Sequence, residues 1–360
     1  MRRVGNFVPR HASRRLRGRS ARDYGLAKGR KKVLLYAILA LTLVGARSPL
    51  AQTVTALPFA LHDNPQILAD TRVALLGTLD LGPLVRRHES LAELSGLAWD
   101  DDEQLLFGVT DRGWMVRLKL DFSDGRLTNA TFSGATRLTG EGGRRLTGRA
   151  SDSEGMVGLR TRNGRAGDSE FIVAFERDNR LQLHDANGRL KRRIEVARPL
   201  RDSNAYRSRN KGFEAVMRHP HAGVVPGTEW PLRGADDSYW QWYRADGRSV
   251  RVPRLDRPSA GLVAMEALSD GRTVTLERAH SWLGLSLIIE VGLVDAWNGT
   301  TEAGGRLEKR TLWRLDSSLG WRVDNFEALT RHRGSRFLMA SDDNGSALQT
   351  TLLVYFEIRP

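Results

Sequence analysis

A short phrase recurs along the chain and restricts what it can fold into. Its clearest copy is Asn325-Phe326-Glu327-Ala328-Leu329. Earlier copies are Met265-Glu266-Ala267-Leu268, Phe213-Glu214-Ala215-Val216, Ser153-Glu154-Gly155-Met156 and, with Ser in place of Glu, Leu94-Ser95-Gly96-Leu97. The anchors 95, 154, 214, 266 and 327 lie 59, 60, 52 and 61 residues apart. A sustained period of this size marks an array of similar supersecondary units. Each phrase opens a β-like run, and in four units a second run follows that ends in an acid. These second runs are Leu105–Asp111, Phe171–Glu176, Thr273–Glu277 and Arg336–Asp342. Three of the acids precede arginine, at Asp111-Arg112, Glu176-Arg177 and Glu277-Arg278.

The segments between phrases read as strands joined by turns. Ala186-Asn187-Gly188, Ala245-Asp246-Gly247 and Ser269-Asp270-Gly271 punctuate the β-like runs. No segment sustains a helical period. In the third unit the second strand is poorly marked, with Pro220, Pro226 and Pro231 nearby. The last unit is one strand short, while Arg72–Leu81 supplies a spare strand at the front. A closed ring resolves both, and it removes the exposed sheet edges of an open array. The expected fold is therefore an all-β, closed β-propeller over 72–360 with an N-terminal strand completing the last blade. Five repeats are countable; six blades remain open if one unit has lost its phrase. The nine tryptophans are spread along the chain and read mainly as core between sheets.

The formal charge of +14 suggests nucleic acid, but its location does not. Residues 1–32 hold twelve Lys/Arg against one acid, Asp23, which leaves about +3 for the rest. The basic stretch precedes an apolar run, Val33–Ala46, of 14 residues. A bilayer-spanning helix takes about 20. The run fits a signal-peptide core, with Ala46 and Ala51 as cleavage candidates. Residues 1–51 are thus expected to be a basic leader and signal peptide, and 52–71 a linker. The mature protein is expected in the periplasm or secreted, with no stable membrane span, no nucleic-acid partner and a monomeric state. The chain has no cysteine, so disulfides, thiolate metal sites and a cysteine nucleophile are excluded.

Several pieces resemble the phytase-like family, also described as "esterase-like activity of phytase", of exported bacterial propellers. They are Glu93–Asp100, Asp152-Ser153-Glu154-Gly155, Asn210–Glu214, Asp324–Leu329 and the ending Leu338–Asn344 with Gln349–Leu353. The resemblance covers about residues 72–358. It implies hydrolysis of a phosphate ester or related ester, with calcium as the cofactor. Trp99-Asp100-Asp101-Asp102 departs from the Asp-Asp-Pro-Ala segment of the true β-propeller phytases.

In a propeller, equivalent positions of successive inner strands form a ring. The repeat thus predicts that Glu154, Glu214, Glu266 and Glu327 converge at one mouth, with Ser95 in the fifth place. Carboxylates gathered this way repel unless a cation sits among them, and hard oxygen ligands suit Ca²⁺ or another hard divalent cation. The expected metal ligands are Asp111, Glu154, Glu214, Glu266, Glu327 and Asp342. Arg112, Arg177, Arg278 and Lys211 are expected to hold substrate, since guanidinium forks match phosphate. Glu154, Glu214, Glu266, Glu327 and Lys211 are the catalytic candidates. The competing reading makes the same acids strand caps or blade-to-blade salt bridges. Asp100–Glu103 and Asp342–Gly345 are weaker candidates for calcium turns, and His219-Pro220-His221 reads as surface. No nucleophile elbow or zinc-helix motif is present, so a serine-esterase mechanism has no support. The alternatives to a metal-dependent hydrolase of small esters are a non-catalytic propeller that binds a ligand or protein, and a metal-dependent lactonase-like hydrolase.

Overall fold

The computed structural model describes residues 54–64, 72–281, 286–298, 301–346 and 348–359. The leader 1–51 with its run Val33–Ala46, residues 52, 53 and 65–71 of the expected linker, and Trp282 lie outside the described residues. Gln52–Pro360 forms one compact unit.

That unit is a five-bladed propeller. The short strand β1 (Leu57–Pro58) and β2 (Val73–Asp80) come first. Blade one then runs β3 (Leu94–Asp100), β4 (Leu105–Thr110), β5 (Trp114–Ser123) and β6 (Arg126–Arg137). Blade two is β7 (Ser153–Leu159), β8 (Glu170–Phe175), β9 (Arg180–Asp185) and β10 (Leu190–Ile194). Blade three is β11 (Phe213–His219), β12 (Gly223–Thr228), β13 (Tyr239–Tyr243) and β14 (Ser249–Pro253). Blade four is β15 (Gly261–Ala267), β16 (Thr273–His280), β17 (Leu287–Val294) and, after the short β18 (Gly305–Arg306), β19 (Lys309–Asp316). Blade five is β20 (Asn325–Arg333), β21 (Arg336–Asp342) and β22 (Leu352–Ile358), and β2 pairs antiparallel with β22 to close it.

The sequence expected 52–71 to be linker, yet part of it belongs to the blade. Leu57 and Pro58 pair with Asp80 and Leu79, and the Leu61 side chain is fully buried. One helix, α1 (Gly82–Arg87), leads from β2 into blade one, with Pro83 in its first turn. Proline there loses nothing, because that N–H has no partner in a helix anyway. The third blade is split: β11 pairs with β12, and β13 with β14, but no ladder joins β12 to β13. Pro226 sits inside β12 opposite Val216. It lacks the N–H that a strand needs for a full ladder on both edges, which is why the strand was hard to read.

The inner strands β3, β7, β11, β15 and β20 pack side by side around the axis, and β20 meets β3 to close the ring. Each neighbouring pair of blades shares an apolar core. Phe107 and Val109 of blade one meet Phe171 and Val173 of blade two. Trp240 and Trp242 of blade three meet Leu262 and Met265 of blade four. Leu94 and Trp99 of blade one meet Ala340 and Tyr355 of blade five, so the last interface is as dry as the others. Close packing explains the small residue after each acid in the phrase. A Cβ on Gly96 would lie 2.9 Å from the Glu154 carbonyl oxygen, and one on Gly155 would lie 2.7 Å from that of Glu214. Only glycine allows the inner strands to approach that closely here.

Candidate functional site

A β-bulge in each inner strand builds the site. In β3 the register skips Ser95, in β7 Glu154, in β11 Glu214, in β15 Val263 and in β20 Glu327. A bulged residue is freed from the ladder and its side chain is re-aimed. The five bulges lie one per blade at the same end of the inner strands, so these side chains form a ring. The axis beneath is nearly filled. A cavity of about 10 Å³ lies among Gly96, Gly155, Glu214, Val263 and Glu327, room for about one water.

Glu266 departs from the sequence expectation. It lies three residues beyond the bulge of β15, where Glu266 pairs with Val274 near the strand's other end. There it lines a different cavity, with Arg162, Arg218 and Arg331. The phrase in the fourth repeat is displaced along its strand by three residues relative to the bulge. Val263 takes the ring position instead.

A second ring comes from the residue that follows the cross-strand partner of the residue before each bulge. In blades one, two, three and five it is Asp111, Glu176, Glu229 and Asp342. In blade four the register gives this place to Arg278, because Glu277 pairs with Leu262 one step earlier. Glu277 does not join the other second acids. It is fully buried inside blade four, pairs with Lys309 and accepts the Leu255 N–H at 2.6 Å. Blade four is thus inverted at both rings, with an apolar residue in one and a cation in the other. Sequence reasoning missed Glu229 and Asp152. Glu229 ends β12 as Glu176 ends β8, and the prolines around it obscured the match.

The carboxylates crowd together. Oxygens of Asp111, Asp152 and Glu154 lie within 4.8 Å of one another, and so do those of Glu176, Glu214 and Glu229. Burial first, then Asp111, Glu327 and Glu176, hold Glu154 well above the usual carboxylate range. Burial and then Glu154, Glu229 and Glu176 do the same to Glu214. The strongest charge effects on these two come from other acids, although Arg278 also faces Glu214. Burial and Glu327 push Asp111 up to about 8, against the Ser95 hydroxyl that donates to it. Burial, Glu327 and Asp111 push Asp342 to about 9. Glu176 is raised to about 7, mainly by burial, although the Gly212 N–H donates to it at 3.1 Å.

Cations stand around this acid, each paired. Arg278 bridges Glu229 at 3.1 Å and Glu327, and also donates to Asn325. Lys211 lies 2.6 Å from Glu229 and faces the Trp230 ring, 5.5 Å from its centroid. Arg177, a non-glycine residue at φ 57°, lies 2.6 Å from Asp152. Arg112 forks onto Glu93 at 2.7 and 2.8 Å. Beyond Trp230 opens a cavity of about 570 Å³, lined also by Arg207, Asp237, Arg254 and Arg257.

The weaker candidates have structural duties. In Asp100–Glu103, Asp100 accepts the Asp102 and Glu103 amides, Asp102 those of Asn163 and Gly164, and Glu103 that of Gly167. These oxygens tie blade one to a loop of blade two. Asp343 accepts the Gly345 amide at 3.0 Å and the Thr351 hydroxyl at 2.9 Å. His219 is buried, not at the surface. Its Nδ1 accepts the Ala222 N–H at 3.1 Å, so Nε2 donates to the Gly271 carbonyl at 2.8 Å.

The profile of the family described as "Phytase-like: Esterase-like activity of phytase" matches residues 89–345, well over half of the chain. The chain belongs to the phytase-like family. No curated protein matches it. Among solved structures, the phytase-like chain is similar to the "Dos1 propeller" (10% identity over 74% of this chain and 68% of that one, TM-score 0.33). It is similar also to "U3-55K" (10%, 70% and 75%, TM-score 0.35) and to the "RRP9 WD40 repeats" (10%, 74% and 95%, TM-score 0.40). Among the described residues no helix is long and apolar enough to cross a membrane.

Proposed function

We propose that this phytase-like propeller is a calcium-dependent hydrolase of phosphate esters or related esters, acting at the carboxylate mouth. One observation carries the reading: Glu154 and Glu214 are buried in two carboxylate clusters, where the strongest charges acting on them are negative. Buried charge of one sign is costly unless a counter-ion joins it. The donors are all oxygen, which suits calcium. Asp111, Asp152, Glu154, Glu214, Glu229, Glu327 and Asp342 are the residues that would hold it. A bound cation would polarise a substrate oxygen.

The chain's own groups supply the rest. Lys211 stands between the acids and the Trp230 cavity, placed to hold a substrate anion while the organic part lies against Trp230. Arg112 and Arg177 lie at the rim, their side chains 40% exposed, and can meet a second anionic group. Hydrolysis needs a base to take a proton from water and return it to the leaving oxygen. Glu176, with a value of about 7, is the carboxyl matched to that exchange near neutral pH.

A second reading, a non-catalytic scaffold, draws support from the pairing of Arg278, Lys211 and Arg177 with acids of the mouth. One set of measurements separates the two. p-Nitrophenyl phosphate, acyl esters and lactones are assayed with calcium or EDTA, and calcium is titrated calorimetrically into the parent, Glu154→Gln, Glu327→Gln and the double variant. The hydrolase reading expects calcium-dependent turnover. It also expects losses in the two singles that do not add in the double, because both groups share one partner. Calcium binding without turnover of any substrate supports the scaffold. No calcium binding by the parent ends the metal-site reading.

A further inference from the structure

The same inner strands carry charge of the opposite sign at their other ends. Four residues beyond the bulge, the ring positions are Trp99, Gly158, Arg218, Ala267 and Arg331. Glu214 and Arg218 thus share β11, and Glu327 and Arg331 share β20. Four residues of strand span about 13 Å, so the propeller is acidic at one mouth and basic at the other. At the basic mouth Arg160, Arg162, Arg218 and Arg331 line one cavity of about 340 Å³, with Thr161, Asn163 and Thr330 between them. Glu266 is the one carboxylate in that lining.

The four guanidinium groups are only partly neutralised: Glu266 faces Arg331 and Arg162, and Asp101 also acts on Arg162. Arg160 has a loose contact, 3.8 Å, with Glu170. Arg162 is fixed by donating to the carbonyls of Arg331, at 2.8 Å, and His332. Neither Arg218 nor Arg331 enters an ion pair among the described residues. Arg160 and Arg218 also line an adjoining cavity with Lys191 and Arg192. Like charges are not gathered at this density without cost, and Arg forks match the oxygens of phosphate two at a time. A small ligand fits better than a polymer, because the cavity lies among the strand ends and is of small-molecule size.

From this placement we propose a second ligand site: the basic mouth binds a small polyvalent phosphate, with Arg218 and Arg331 as its principal contacts and Arg160 and Arg162 as supports. The site is independent of the carboxylate mouth, and the proposal stands whether or not that mouth is catalytic.

Inorganic pyrophosphate is the probe, titrated calorimetrically into the full mature chain in metal-free buffer. Orthophosphate and sulfate serve as single-anion comparisons. The parent should bind pyrophosphate more tightly than either. Arg218→Gln and Arg331→Gln should each weaken binding about tenfold or more, the loss expected for a charge-assisted hydrogen-bonding group. Arg331→Lys keeps the charge and loses the fork, so it should recover only part. Thermal melting in the same buffer confirms that each variant is folded. Glu154→Gln should bind pyrophosphate like the parent, which separates this site from the acidic one. The proposal is overturned if the parent binds no pyrophosphate at millimolar concentration, or if both Gln variants bind like the parent. Loss of binding in Glu154→Gln alone would also overturn it. So would binding of DNA or anionic vesicles that depends on Arg218 and Arg331 but that pyrophosphate does not displace.

Discussion

Replacing Glu176 by Gln should alter how the metal-free protein responds to pH. Its carboxyl is raised from 4.5 to about 7 by burial and by Asp152 and Glu229. A carboxyl with a raised value is penalised when it ionises. The fold therefore keeps its full stability below about pH 4.5 and loses it as pH rises through 7. At 1.36 kcal/mol per pH unit, the gap is worth about 3 kcal/mol once both states are ionised. Asp111 and Asp342, at about 8 and about 9, carry the loss to higher pH. Their penalties share the same repulsions as that of Glu176 and are not summed with it. Gln keeps the volume and still accepts the Gly212 amide, so the variant removes charge alone. Urea unfolding in EDTA at pH 5.5, 7 and 8.5 reads the effect. The parent should weaken as pH rises, and between pH 5.5 and 8.5 Glu176→Gln should weaken by about 2 kcal/mol less, or about 3 °C in melting temperature for a domain of this size. Calcium at a hundred times its dissociation constant should return about 2.7 kcal/mol to the parent at pH 8.5. Equal pH slopes for parent and variant would refute the claim that buried like charges define this mouth.

Three further outcomes test the architecture. Truncation at residue 82 removes β2, whose Val73 and Leu79 are fully buried against β22 and its neighbours. At about 1.5–3 kcal/mol for each such side chain, it should cost roughly 5 kcal/mol and lower the urea midpoint; an unchanged midpoint would contradict ring closure through this strand. Gly155→Val places side-chain carbon against the Glu214 carbonyl, 2.7 Å from the first added atom. It should cost about 1–3 kcal/mol or more in thermal unfolding, and a neutral result would mean that the inner strands are looser than described. Arg278→Met strands Glu327 without its cation and leaves Glu229 with Lys211 alone. A loss of about 3–5 kcal/mol is expected in urea unfolding, larger at pH 8 than at pH 5, and no loss would mean that the pair is not held in solution.

The sequence by itself determined the repeat, the β class and the closure. Each follows from local signals: the phrase Glu-Gly-Met or Glu-Ala-Leu, the Asp-Gly and Asn-Gly turns, and a spare strand at 72–81 facing a blade one strand short. It also located Asp111, Glu154, Glu176, Glu214, Glu327 and Asp342, because in those units the phrase and the bulge coincide. Only the tertiary structure decided blade four. There the phrase centres on Glu266, but cross-strand pairing sets the bulge at Val263 and brings Arg278, not Glu277, to the second ring. Side chains alternate along a strand, so a one-residue difference in register moves a charge from the mouth into the blade interior. Bulge position depends on which residues pair across the hairpin and on how closely the next inner strand packs. Glu229 was hidden for the same reason, since its strand carries Pro226 and is legible only through its pairing with β11. The opposition of an acidic and a basic mouth on the same strands likewise appears only once the ring is closed. Residues four apart in sequence then face different ends of one axis.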